Sequence, residues 1–120
     1  MAHTSFAVRR SNPRFSFFAE AEVTMRDGLS VPAQVSELSS GGCYLDMLEP
    51  IPVGTELSVR ISNGLQVCEL PGRVIYIHSG YGMGIFGIGV VFSKLANVQD
   101  SPLKGWLRDL ARKQSERIPN

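Results

Sequence analysis

The sequence predicts an all-β domain with a terminal helix: a small antiparallel β-barrel of six to seven strands, capped by a C-terminal α-helix. Three observations carry this expectation. Apolar and polar residues alternate with a period of two in short stretches between residues 15 and 92, the pattern of half-buried strands. Asp27-Gly28 and Asn63-Gly64 separate such stretches with dipeptides that supply the positive φ of tight hairpins. Beyond Pro102 the apolar period becomes helical. The 120 residues suffice for one packed core and not for two.

The first strand is the most regular. Phe15, Phe17, Ala19, Ala21, Val23 and Met25 share one face, and Ser16, Glu20, Glu22 and Thr24 share the other. Phe18 is the single exception. After the Asp27-Gly28 turn, Leu29, Val31, Ala33 and Val35 alternate with polar residues and with Pro32. Proline has no N–H for a ladder, so this strand is expected to be an edge or bulged there. Ser39-Ser40-Gly41-Gly42 breaks the alternation, and Cys43 to Met47 resumes it.

Glu49 to Gly54 reads as a loop, and Leu57, Val59 and Ile61 as the inward face of the next strand. Leu65 to Leu70 and Arg73 to His78 read as a long strand interrupted at Pro71-Gly72. Residues 79–82 turn, and Ile85 to Phe92 form the last strand, with glycines at 87 and 89. Inward positions are expected at Phe17, Val23, Val31, Val59, Ile61, Val74, Val90 and Phe92. Short strands at this spacing, joined by tight turns, argue for a barrel or sandwich.

Leu103, Trp106, Leu107, Leu110 and Ala111 then fall on one helical stripe. Ser101 suits the N-cap and Pro102 the first helical position. Such a stripe is usually buried, so the helix is expected to close one mouth of the barrel with Trp106. Three segments follow: a flexible basic arm at 1–14, a barrel at 15–98 and a helix at 99–116.

Charge is informative by position. Lys plus Arg is 12 and Asp plus Glu 11, giving +1 overall. The arm carries Arg9, Arg10 and Arg14 without an acid, and the helical end is also basic, while the body between them is acidic. That distribution excludes a general nucleic-acid binder and points to a local anionic partner. An oligonucleotide-binding barrel would need aromatics on a basic strand face, and here the aromatics fall mostly on the apolar faces. The N-terminus lacks the basic segment and apolar run of a secretory signal, and no apolar run is long enough to span a bilayer. Cys43 and Cys68 belong to no CxxC pair and are expected as buried thiols in a reducing compartment, hence a cytoplasmic protein.

No motif for catalysis emerges. Gly82-Met83-Gly84-Ile85-Phe86-Gly87 matches GxGxxG literally, but it runs into a strand and no βαβ unit surrounds it. Glycines inside a strand more often mark a bulge or a close backbone approach. His3 and His78 are the only histidines, no cluster has metal-ligand spacing, and no nucleophile motif is present. Neither an enzyme nor a metal site nor a cofactor is expected.

One constellation remains. Arg9-Arg10-Ser11-Asn12-Pro13-Arg14 precedes the first strand, and Glu37-Leu38-Ser39-Ser40-Gly41-Gly42 follows the second. Guanidinium groups offer paired donors to phosphate oxygens and to the O6/N7 edge of guanine. Ser39 offers a hydroxyl, and Gly41-Gly42 lets a backbone approach closely.

At these residues the chain resembles the PilZ domain family, small β-barrels with a C-terminal helix, many of which are receptors for cyclic di-GMP. The family's N-terminal RxxxR corresponds to Arg10 and Arg14, and its [D/N]xSxxG to Glu37, Ser39 and Gly42. Gly72-Arg73-Val74-Ile75 and Gly87-Ile88-Gly89-Val90-Val91-Phe92 resemble later strands of the family, so the likeness spans roughly residues 9–112. It implies that Arg10 and Arg14 grip the dianionic ligand with Arg9 assisting, and that Glu37, Ser39 and Gly42 shape the guanine end. It also implies a receptor that signals to a separate partner protein. Glu37 departs from the family's Asp or Asn by one methylene. The alternative is a PilZ-like protein-interaction adaptor that binds no nucleotide.

Overall fold

The computed structural model describes residues 13–79, 84–93, 97–98 and 101–117. Six strands, β1 (Phe15–Met25), β2 (Ser30–Leu38), β3 (Gly42–Met47), β4 (Glu56–Asn63), β5 (Gln66–Ser79) and β6 (Phe86–Phe92), precede the helix α1 (Pro102–Arg117). They close into a barrel in the order β1-β2-β3-β6-β5-β4, with every neighbouring pair antiparallel. Closure pairs β4 back onto β1, from Glu20↔Ser62 to Met25↔Leu57.

The alternating sequence has the physical consequence expected of it. Val23, Val35, Leu45, Val59, Ile61, Val74 and Ile88 are almost fully enclosed, at least one from every strand. Cys43 and Cys68 are buried among them as free thiols. Burial pushes the Cys43 thiol up to about 12, and the neighbouring Cys68 adds to the shift.

β1 shifts register between Ser16 and Ala19, the stretch that holds the two adjacent phenylalanines. Phe17 packs against the core while Phe18 is turned outward. β2 shifts between Val35 and Glu37, and β5 between Val74 and Tyr76. Bulges of this kind bend and twist the strands and so help a small sheet close on itself.

Both prolines of the sheet avoid the ladder's needs in different ways. Pro32 pairs with Glu22 of β1, but the β2–β3 ladder runs only from Gln34↔Asp46 to Leu38↔Cys43. Pro32 therefore sits at a local edge. At Pro71-Gly72 the expected interruption does not occur, because β5 runs unbroken from Gln66 to Ser79. Here β5 begins to pair with β6 while still paired with β4. Pro71 faces Ser58, and its carbonyl accepts from the Ser93 N–H at 2.8 Å. Gly72 lies between Leu57 and Phe92, and a Cβ there would stand 2.8 Å from both the Val90 side chain and the Val91 carbonyl. The dipeptide serves close strand packing rather than a turn.

α1 begins as its sequence suggests: the Ser101 hydroxyl accepts from the Leu103 N–H at 3.2 Å. Leu103 and Trp106 are buried, with Leu107 packed beside them. The indole stacks on Phe17 with ring centroids 5.6 Å apart, and its Nε1–H donates to Gln66 Oε1 at 2.8 Å. Leu110, next on the stripe, is half-buried. Among the described residues, no helix is long and apolar enough to cross a membrane.

Candidate functional site

The Ser39–Gly42 turn is built by its own side chain. Ser39 N–H donates to the Gly42 carbonyl at 2.9 Å. Ser39 Oγ accepts from Gly41 N–H at 3.2 Å and Gly42 N–H at 3.1 Å. It lies 3.3 Å from the Gly42 carbonyl, to which it donates. Ser39 is buried, so its hydroxyl is committed to shaping the turn.

Gly42 is required for a different reason. A Cβ there would collide with the Val90 carbonyl oxygen and lie 3.2 Å from Val91 Cα. Only a residue without a side chain lets β3 approach β6 at this point. The adjacent Gly41 carbonyl accepts from the Phe92 N–H at 2.8 Å, tying the turn to the end of β6.

This turn forms one wall of a groove of about 130 Å³. Arg14, Glu37 and Ser39 line it together with Tyr44, Tyr76 and Gly89, and Tyr44 is the cross-strand partner of Glu37. Arg14 immediately precedes β1, and Glu37 pairs with Ser16 in the β1–β2 ladder. Their side chains meet: Arg14 Nη1 lies 3.7 Å from Glu37 Oε1, each side chain about half exposed. Solvent-screened pairs at this exposure hold weakly and exchange partners readily.

The aromatic part of this lining is not legible as a site in the sequence. Tyr44 on β3 and Tyr76 on β5 both oppose Gly89 on β6. Their rings lie 5.8 Å apart, tilted by 42°. A Cβ on Gly89 would stand 3.0 Å from the Tyr76 ring, and one on Gly87 would collide with the Tyr44 hydroxyl. The two strand glycines are niches for these rings. The glycines signalled a close approach, but only the register says which rings fill the space.

The structure thus brings Arg14, Glu37, Ser39 and Gly42 to one groove, with Gly42 and Ser39 acting through the turn. Arg9 and Arg10 lie outside the described residues. Among the described residues, no group of three His, Cys, Asp or Glu side chains could hold a metal ion.

A closed six-stranded barrel, capped by a helix and grooved beside a serine–glycine turn, defines a class of small helix-capped barrel domains. The chain belongs to the PilZ domain family, whose sequence profile matches residues 8–109. Solved structures agree in fold. The PilZ domain of Escherichia coli YcgR, determined with c-di-GMP, shares 16% identity at a TM-score of 0.71, over 92% of this chain and 99% of that one. The K. pneumonia MrkH–c-di-GMP complex shares 16% identity at a TM-score of 0.74, over 92% of this chain and 56% of that one. The Bacillus subtilis inhibitor of motility, MotI/DgrA, shares 14% identity at a TM-score of 0.73. The likeness covers 92% of this chain and 54% of MotI/DgrA, so the chain spans about half of that protein's length. No curated protein matches the sequence.

Proposed function

We propose that this PilZ domain is a cytoplasmic receptor for cyclic di-GMP that passes the signal to a separate protein. The observation that carries this reading is the groove, which gathers Arg14 and Glu37 beside the Ser39–Gly42 turn. A groove of about 130 Å³ is small beside the roughly 300–1,000 Å³ of ordinary ligand pockets. Arg9 and Arg10 precede Arg14 by five and four residues in the sequence and are the further cations of this reading. Arg10 and Arg14 clamp phosphate oxygens or a guanine edge through paired N–H donors, and Arg9 adds positive potential. Glu37 faces the guanine end, and Ser39 and Gly42 hold the turn that shapes it. Tyr44 and Tyr76 offer aromatic surface for a base.

The reading has support from family membership and from the neighbours solved with c-di-GMP. Its test is calorimetric titration of the whole chain with cyclic di-GMP, with GTP and cyclic GMP as controls. Saturable heat with cyclic di-GMP alone is the expected result.

One observation favours a second reading, an adaptor that works by protein contact without nucleotide. Arg14 already has an anionic partner in Glu37, and the Ser39 hydroxyl is already used. Absence of binding by the wild type and by Glu37→Asp would put that reading in front.

A further inference from the structure

A second and larger recess lies at the opposite end of β1 from Arg14. β1 has 11 residues, so at about 3.3 Å per residue Arg14 and the Met25 side of the recess are separated by roughly 30 Å. The recess is a cleft of about 580 Å³ between the β1–β2 hairpin and the β3–β4 connection. Its floor is apolar, with Val31 and Ile51 both buried. Its rim carries Leu29, 58% exposed, and the adjoining connection carries Leu48 at 75% and Val53 at 58%. A buried apolar floor with a large aliphatic side chain left this open on its rim suits an apolar partner.

Both walls are held rigidly. In the hairpin, Met25 and Leu29 are joined by a 2.8 Å backbone bond, and Asp27 Oδ1 accepts from the Leu29 N–H at 3.0 Å. In the connection, Thr55 Oγ1 donates to the Pro52 carbonyl at 2.7 Å, and Gly54 N–H donates to the Val74 carbonyl at 2.8 Å. Pro50 and Pro52 fix φ along that wall. A preformed apolar cleft does not have to order itself when it binds.

Its charge selects the occupant. Asp27, Glu49 and Glu56 line the cleft against one cation, Arg26, which lies 3.5 Å from Glu56. The surplus is negative around an apolar floor. We infer that this cleft docks a segment of a separate protein that carries aliphatic side chains flanked by lysine or arginine. The aliphatic groups fill the space over Val31 and Ile51, and the cations meet Asp27 and Glu49 at the rim. This chain's own basic ends match the same charge. Seating them here joins unlike surfaces head to tail, a contact that propagates instead of closing, so a second copy is the poorer occupant. The inference is independent of nucleotide binding at the Arg14 groove.

The test is nuclear magnetic resonance titration of the isotopically labelled full chain with a short peptide of alternating leucine and lysine. A leucine–glutamate peptide of equal length serves as control. The expected result is saturable shifts at Leu29, Ile51, Gly54 and Thr55 with the basic peptide and none with the acidic one. Leu29→Ser and Glu49→Lys change exposed side chains, so both variants should keep the wild-type melting temperature. Each should bind the basic peptide about tenfold more weakly, the scale of losing one anchoring contact. Equal shifts with both peptides, shifts confined to other surfaces, undiminished binding by the variants, or no shifts at millimolar peptide would overturn the inference. So would concentration-dependent self-association of the free protein abolished by Leu29→Ser, which would assign the cleft to a second copy.

Discussion

The Arg14 guanidinium stands 3.7 Å from the Glu37 carboxylate, beside the pairs Phe15↔Leu38 and Ser16↔Glu37 that begin the β1–β2 ladder. The longer acid at this position gives Arg14 an internal partner at the mouth of the groove. An anionic ligand must therefore compete for a cation that already has a counter-charge.

On the receptor reading, Glu37→Asp tightens cyclic di-GMP binding, because the shorter carboxylate draws back from Arg14. An exposed ion pair is worth about 0.2–1 kcal/mol, so the gain is several-fold at most. Calorimetric titration checks it. Weaker binding by Glu37→Asp would show a pocket adapted to the longer side chain.

Arg14→Ala weakens the same binding by about 1.5–3 kcal/mol, the scale of a hydrogen bond to a charged group. Arg14→Lys recovers only part of this, since it keeps the charge and loses the planar fork. Added salt weakens wild-type binding. Equal affinity in the wild type and Arg14→Ala would remove Arg14 from the site.

Trp106→Ala costs about 3–5 kcal/mol of stability, because the ring is 4% exposed and stacks on Phe17. Gln66→Ala removes only the acceptor of the indole N–H and costs about 0.5–1.5 kcal/mol. Urea unfolding of both variants measures the difference. Equal costs would mean that the hydrogen bond, and not the ring's burial, holds the helix on the barrel.

Gly42→Ala destabilises by about 1–3 kcal/mol or more, since its Cβ meets the Val90 carbonyl of the partner strand, which cannot step aside as a side chain can. Gly54→Ala is different: it has open space around its Cβ and only a positive φ of 95° to resist it. Thermal melts of the pair separate packing from backbone strain.

Stability falls with alkaline pH through Cys43. The folded thiol titrates at about 12 and the ordinary thiol at 9.0. Below pH 9 both states hold the proton, and the group leaves stability unchanged. Between pH 9 and 12 the unfolded chain releases a proton that the folded chain keeps, so unfolding becomes easier. Cys43→Ala flattens the decline seen in urea midpoints over that range. An unchanged decline in the variant would assign the effect to other groups.

Much of the architecture is legible along the chain because alternation is a property of one strand at a time. The face of β1, the Asp27-Gly28 and Asn63-Gly64 hairpins and the Ser101 cap each depend on a few neighbouring residues. Arg14, Glu37, Ser39 and Gly42 stood out for the same reason, as short motifs beside strand ends. What only the tertiary structure decided are relations between strands. Pro71-Gly72 reads locally as a break, yet β5 passes through it because β4 lies on one side and β6 begins on the other. Tyr44 and Tyr76 become neighbours only through a shared partner, Gly89. Leu29 reads as one more alternating apolar residue, and only the packing of the β3–β4 connection beside its hairpin leaves it on the rim of a cleft. Periodicity reports which face a side chain takes. Barrel closure and register, which join residues distant in sequence, determine what that face meets.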